Sequence, residues 1–461
     1  MKNVVIERLV EIAEKTVKAT VKLGASQAQA SAFLLDNALT RYANSQIHQN
    51  VASKNGGIIV KAILPDKRIG SFRANTLEET EIERVAETAI KIAKSAQPNM
   101  DFKSLPEPEP WSPIEEAFDK ETAFCTPEHR AEKVKEAIET AHEKSPIVRA
   151  VAGYLSTNAI YFAVANSLGV SAYASLTTAS MKTTVISESE GSEGFGTAEK
   201  YSRHVRDINP TLLAEDAAEK SVKSVKPIKI QPGEYEVVLS PLAVGTIFAY
   251  LGYIGFSAVP YQNGSSFVKY FLNKQVFDEK LNLKDDAKDP RTFYMTPVDG
   301  EGVPKKALNL IKNGVVSKES ICYDSLRAGK ENKKSTGHSI PPITRWFYEQ
   351  PVPFNLIVEP GDSTMEEMIK ETKHGIFVTY LHYVNPVEPT KAILTGLTRD
   401  GTFLIENGEI TKPIVNMRFT DSMLSALKEI PLIGKALEIV EETTVPAMKL
   451  NKLRFVGISA Y

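Results

Sequence analysis

Apolar residues recur at helical spacing from Val4 to Leu23, and Gly24 stands where such a helix would end. The period then changes. Gly56-Gly57 opens Ile58-Ile59-Val60-Lys61-Ala62-Ile63, which turns at Pro65-Asp66-Lys67 into Arg68-Ile69-Gly70-Ser71-Phe72, the pattern of a β-hairpin. Thr76-Leu77-Glu78-Glu79 has capping-box spacing and predicts a helix running toward Ala96. Residues 97–128 are rich in proline and acidic side chains, which predicts an extended connector laid over the surface and anchored by Trp111, Phe118 and Phe124. A helix follows from Pro127 to Glu143. From Val148 to Ser187 the chain is dense in Val, Thr, Tyr and Ala, a β-meander with turns predicted at Asn158 and at Asn166 to Gly169. The glycine-rich stretch 190–196 reads as a flexible loop. Asn209-Pro210 supplies an N-cap and first-turn proline for a helix ending near Val225, and Lys226-Pro227 breaks it.

That break divides the chain into an N-terminal mixed α/β domain, residues 1–226, with an antiparallel sheet and helices, and a β-rich domain, residues 227–461. The second half shows a strand at 234–239, a helix at 242–255 without charges, and hairpin signals at Asn313-Gly314 and Asn407-Gly408. Ser363-Thr364-Met365-Glu366 reads as another capping box, its helix stopping at Gly375 before a strand from Ile376 to Val384. The fold class predicted is α+β, two domains, with a buried apolar helix in the second.

Composition narrows the function classes. Against 57 acidic side chains stand 55 basic ones, a net charge of -2, so there is no basic field of the kind that binds nucleic acid. The uncharged run from Val237 to Val268 is long enough to span a bilayer, but Pro241, Gly245, Gly252, Gly255 and Pro260 interrupt it, which favours a buried helix over a membrane span. Glu7, Glu11 and Glu14 exclude a secretory leader in the first helix, so cytoplasmic residence is expected. Cys125 and Cys322 lie too far apart in sequence for a paired motif and are expected as reduced, buried thiols.

Candidate chemistry is sparse. The only His-Glu pair, His142-Glu143, meets Pro146, which removes both the second ligand and the helix of an HExxH site. His374 and His382, at the ends of the predicted strand, would stand roughly 26 Å apart, too far for one ion. The paired carboxylates Glu366-Glu367 and Glu441-Glu442 are predicted on helices, facing solvent. Lys330, Lys333 and Lys334 form a small basic cluster, and the loop Lys333, Lys334, Ser335, Thr336, Gly337, His338 is the candidate substrate or partner loop, with a solvated histidine as the bland alternative.

Three stretches give a sharper reading. They are Ser335-Thr336-Gly337-His338 with the Asn355-to-Asp362 segment, Gly375-Ile376-Phe377-Val378-Thr379-Tyr380-Leu381 with Gly396-Leu397-Thr398-Arg399-Asp400-Gly401, and Pro413-Ile414-Val415-Asn416-Met417-Arg418-Phe419-Thr420. Together they resemble the PmbA/TldE branch of the TldD/PmbA family, whose members are described as gyrase modulators and as partners of a metallopeptidase. In the catalytic branch the apolar helix carries an HExxxH motif that binds zinc; here the matching positions near Ala249, Tyr250 and Ile254 offer no metal ligand, and no catalytic residue is assigned. The resemblance therefore implies a subunit without its own cofactor, partnered by a TldD-like catalytic subunit that holds zinc, acting on peptide or unfolded-protein substrates and able to form a homodimer in isolation. Two other readings stay open: a divergent metallopeptidase using His338 or His382, and a regulatory factor that binds a topoisomerase.

Overall fold

The computed structural model describes residues 2–342 and 350–458. Its first half contains α1 (Lys2–Lys22), β1 (Gln27–Ala43), β2 (Gln46–Ile63), β3 (Ile69–Ala74), α2 (Ile82–Ser95), α3 (Lys120–Ala123), α4 (Pro127–Lys144), β4 (Val148–Asn166), β5 (Ser171–Ser189), β6 (Ser192–Ser202) and α5 (Pro210–Lys223). The six strands form one antiparallel sheet in the order β3-β2-β1-β4-β5-β6. β3 pairs with residues 58–63 of β2 only, so residues 46–57 have β1 as their one strand partner among the described residues.

Strand alternation gives the sheet two different faces. One face is small and apolar, with Ala28, Ala30, Ala32, Val60, Ala163 and Met181, and it is covered by helices. Small side chains let the helices approach closely. The helices are well terminated: Thr126 Oγ1 accepts from the His129 N–H ahead of Pro127, and Asn209 Oδ1 accepts from the Leu212 N–H ahead of Pro210. The opposite face carries Phe33, Ile160, Phe162, Val164 and Leu176 and packs against Met295 and Val298 of the second half.

That second half holds β7 (Gly233–Leu239), α6 (Pro241–Gly255), α7 (Ala258–Asn263), α8 (Val268–Phe271), β8 (Leu283–Asp285), β9 (Leu308–Lys312), β10 (Val315–Val316), α9 (Ser325–Lys330), β11 (Leu356–Val358), α10 (Met365–Lys370), β12 (His374–Val378), β13 (Leu381–Glu388), β14 (Ile393–Thr398), β15 (Thr402–Glu406), β16 (Glu409–Pro413), β17 (Met417–Ser422), α11 (Met423–Ala426), β18 (Leu432–Val440) and β19 (Thr443–Ile458). Its strands form a mixed sheet in which β19 joins β7, β11, β17 and β18. The largest apolar core fills its interior, with Val244, Ile247, Phe248 and Leu251 of α6 at its centre. The structure is thus α+β, and no described helix is long and apolar enough to cross a membrane.

Several local expectations change. The helix expected from Thr76 begins at Ile82, because Thr76 Oγ1 accepts from the Glu78 N–H and holds a turn instead. Asn158 lies inside β4, not in a turn. The stretch 192–196 is not a loop but the start of β6: a Cβ at Gly194 would stand 2.2 Å from Ser221 O, and one at Gly196 2.1 Å from Ala217 O, so these glycines let α5 lie against the strand. The second capping box uses Thr364 and Glu367, one residue later than expected. Phe124 is exposed and anchors nothing, whereas Trp111 meets Tyr173 edge-on. Cys322 is buried but Cys125 is only half-buried.

Candidate functional site

The apolar helix and the turn that faces it come first. Gly245 of α6 lies against Val440 and Thr443, where an added Cβ would approach Val440 Cβ to 2.7 Å. Ala249 follows one turn later on the same helical face. The residues between those two contacts, Glu441 and Glu442, were expected on a helix in solvent; they form the tight turn between β18 and β19, with Glu441 at φ 50° and exposed as expected, and Glu442 half-buried within electrostatic reach of Tyr250. Burial and the charge of Glu441 push the Glu442 carboxyl up to about 7, and burial with the Glu442 charge in turn raises the half-buried Tyr250 phenol. Both are proton-bearing groups near neutrality. The matching helix positions Ala249 and Ile254 carry no ligand atom.

The same turn meets the first domain. Tyr154, Lys182 and Glu199 are direct cross-strand neighbours on β4, β5 and β6, a single row on the sheet face that looks toward the second half. Lys182 Nζ stands 2.6 Å from Glu199 Oε1 and 3.3 Å from Tyr380 Oη, and 4.6 Å from the centre of the Tyr380 ring. Tyr201 Oη donates to Glu199 Oε2 at 2.6 Å. One row away, Thr197 Oγ1 donates to Asp400 Oδ2 at 2.8 Å. The seam between the two halves is therefore polar and fully engaged.

Its charge states follow from these neighbours. Burial alone would lower the Lys182 ammonium, but Glu199 and Tyr380 outweigh it and hold Lys182 charged beyond its ordinary range. Burial and then the carboxylates Glu199 and Glu441 raise Tyr154; burial and Glu199 raise Glu441 as well. His382, expected on one strand with His374, lies on β13 while His374 lies on β12; burial, Arg399 and Lys182 push its ring toward the neutral form. No activated nucleophile results. A charged lysine, protonated tyrosines and one carboxyl titrating near neutrality can bind polar main chain and exchange a proton, but they cannot attack an amide.

The candidate loop 333–338 is tied to the body. Lys333 Nζ pairs with Glu331 Oε2 at 2.7 Å and Tyr323 Oη at 2.9 Å, Ser335 Oγ donates to Tyr323 O, and Thr336 Oγ1 accepts from the Tyr323 N–H at 2.7 Å. Gly337 adopts φ +74°, while Lys334 remains exposed. His338 is not solvated. It is buried, with Nε2 3.0 Å from Asp285 Oδ1, and Lys305 Nζ lies 3.6 Å from the same oxygen. Asp285 Oδ2 also accepts from the Asn355 N–H at 2.7 Å. Burial opposes the Asp285 charge, but Lys305, His338 and that N–H hold the carboxyl well below its usual range; burial and Lys305 keep His338 below its own. This trio locks the 338 loop to β8 and β11 instead of presenting it.

Among the described residues no group of three or more His, Cys, Asp or Glu is placed to hold a metal ion. At the helix position implied by the resemblance the donor set is one phenol and one carboxyl, with no imidazole or thiolate, which is too few ligands for zinc. Sequence reading missed Lys182, Glu199 and Tyr201, and placed Glu442 on a helix instead of in a turn. The polar members of β5 at alternate positions, Thr178, Ser180, Lys182 and Thr184, were the signal available for the first.

Three family models match the chain in succession: PmbA/TldA metallopeptidase domain 1 over residues 37–93, the central domain over 125–225 and the C-terminal domain over 232–457. Metalloprotease PmbA of Escherichia coli O157:H7 is 25% identical over 435 residues, 91% of this chain and 89% of its own. A metalloprotease of Methanocaldococcus jannaschii is 27% identical over 233 residues, a match that spans about half of each chain (49% and 49%). TldE from Thermococcus kodakarensis has the same fold, with a TM-score of 0.87 at 20% identity, covering 97% of this chain and 100% of that one. A Thermotoga maritima protein described as a candidate modulator of a DNA gyrase gives a TM-score of 0.85 at 22% identity, covering 97% and 99%.

Proposed function

Because this chain belongs to the PmbA/TldD metallopeptidase family, we propose that it is a TldE-like subunit without its own zinc, working beside a TldD-like catalytic chain on peptides or unfolded proteins. The observation that carries the reading is the contact between α6 and the Glu441–Glu442 turn. A metal-binding helix needs open space before its ligand face, and here Gly245 has Val440 and Thr443, the residues flanking the turn, packed against it, while Tyr250 feels the Glu442 charge. What the chain contributes is the shape and polarity of the seam. A peptide main chain would reach the hydroxyls of Tyr154 and Tyr380 and the Lys182 ammonium by exchanging for their present partners, without regard to side-chain sequence.

Metal analysis and reconstitution test it. The purified chain is expected to hold no stoichiometric zinc and to leave an unfolded protein substrate intact, while addition of a TldD-like chain yields chelator-sensitive hydrolysis. Stoichiometric zinc together with hydrolysis by this chain alone overturns the proposal.

A further inference from the structure

At the opposite end of the sheet face, β1, β2 and β3 form the floor of a cavity of about 320 Å³, roofed by residues 324–327, 339–342 and the 102–105 segment. The floor is again built in rows: Gln29, Lys61 and Ser71 are cross-strand neighbours, as are Ser31, Ile59 and Arg73. Gln29 is only 7% exposed, and its Oε1 has no hydrogen-bond partner. Its Nε2 faces Gly300 O at 3.4 Å, so the amide cannot turn over without setting two oxygens against each other. A buried carbonyl oxygen left without a donor has given up its hydrogen bond to water with nothing in return, a deficit that a ligand N–H would remove.

Charge at the cavity is uneven. Lys61 is engaged with Glu301, 3.9 Å away, whose carboxylate also accepts from Ser325 of the roof. Arg73 has the Phe33 ring 4.7 Å from its guanidinium and no carboxylate within ion-pair distance, and the Arg327 side chain has none either among the described residues. Among the described lining residues the one acid is Asp324, which accepts the Arg327 N–H as the cap of α9; burial followed by Glu301 raises it to about 6, so it stays mostly ionised at neutral pH and the two guanidinium groups outnumber it. Ile59, Ile69, Phe102 and Leu105 supply the apolar remainder. Cavities of this size and mixed lining hold small ligands.

We propose that this cavity takes the end of a short peptide, its terminal carboxylate held by Arg73 and Arg327 and a main-chain N–H donated to Gln29 Oε1. The carboxylate and the donor follow from the lining alone; the peptide nature of the ligand rests on the proposed function. A guanidinium binds a carboxylate through two parallel N–H bonds.

The probes are N-acetyl-Ala-Leu-Ala with a free carboxylate, its C-terminal amide, and inorganic phosphate, each titrated calorimetrically into the full chain. The acid is expected to bind at least tenfold more tightly than the amide and than phosphate. Gln29→Leu should weaken the acid several-fold, and Arg73→Gln and Arg327→Gln should each narrow the gap between acid and amide, with thermal unfolding confirming that the variants fold. Equal binding of acid and amide, binding of phosphate as tight as the acid, no binding of the acid, or an acid–amide gap unchanged in both arginine variants overturns the inference. Each of these outcomes is independent of zinc content and of reconstituted hydrolysis, so this site and the subunit reading fail separately.

Discussion

Lys182 and Glu199 face each other on adjacent strands, ammonium to carboxylate at 2.6 Å, and the same ammonium reaches Tyr380 of the second half. The Glu199 side chain is 7% exposed, so it depends on that cation for its solvation. Lys182→Met should cost about 2 kcal/mol, since a nearly buried carboxylate loses its partner while some water still reaches the lysine side. Adding Glu199→Gln should restore part of the loss. Urea unfolding of the single and double variants measures both, and equal stability of Lys182→Met and the parent chain would contradict the assignment.

Glu442 predicts a pH dependence of known sign. Its folded value is about 7 against an ordinary 4.5, so the folded chain holds this proton more tightly than the unfolded one. The resulting stabilisation is complete below about pH 4.5 and is lost as pH rises through 7. Glu442→Gln keeps the shape without the charge. Its stability relative to the parent should therefore increase between pH 5 and pH 8 in parallel denaturation series, and a constant difference would remove Glu442 as the source.

Asp285 predicts the opposite limb. Its carboxyl is held below the ordinary 3.8 by Lys305, His338 and the Asn355 N–H, so its stabilisation is present above that value and lost as pH falls further. Asp285→Asn should destabilise by about 3 kcal/mol at neutral pH, because Lys305 is left buried beside a neutral group. It should also flatten the acid side of the stability profile, which acid titration followed by circular dichroism reads directly.

Gly196 predicts a steric effect with no charge in it. A methyl group there would meet Ala217 O at 2.1 Å and Ser221 N at 2.4 Å, both helix backbone that cannot rotate away. Gly196→Ala should cost about 2 kcal/mol by forcing α5 off β6. Differential scanning calorimetry checks it; an unchanged melting temperature would mean that the helix yields freely.

How much of this was readable beforehand depends on what each residue type says locally. α1, α4, α5 and α6 announced themselves through period, caps and first-turn prolines, and all four formed close to the expected bounds. β1 did not, because Gln27–Ala43 is rich in Ala and Leu, which favour a helix in isolation; its strand form comes from pairing with β2 and β4 on both sides. β6 was hidden by Gly194 and Gly196, whose role is set by a helix that follows later in the chain. For the same reason Lys182 looked like an ordinary strand lysine, and its meaning appeared only when the register set Glu199 opposite it. His338 was singled out, but its burial depends on Asp285, 53 positions earlier.

The unshared margin of β2 over residues 46–57 has a bearing on how the molecule behaves at high concentration. A free row of amides and carbonyls is an invitation to end-to-end polymerisation, in which one molecule's margin zips to the next. Gln49, Asn50, Ser53, Lys54 and Asn55 line this one with polar groups, Ile47 and Val51 being the apolar exceptions. Colloidal behaviour is thus tied to a dozen residues remote from the seam, where Lys54, paired with Asp36 of β1 at 3.2 Å, is the one Lys, Arg, Asp or Glu.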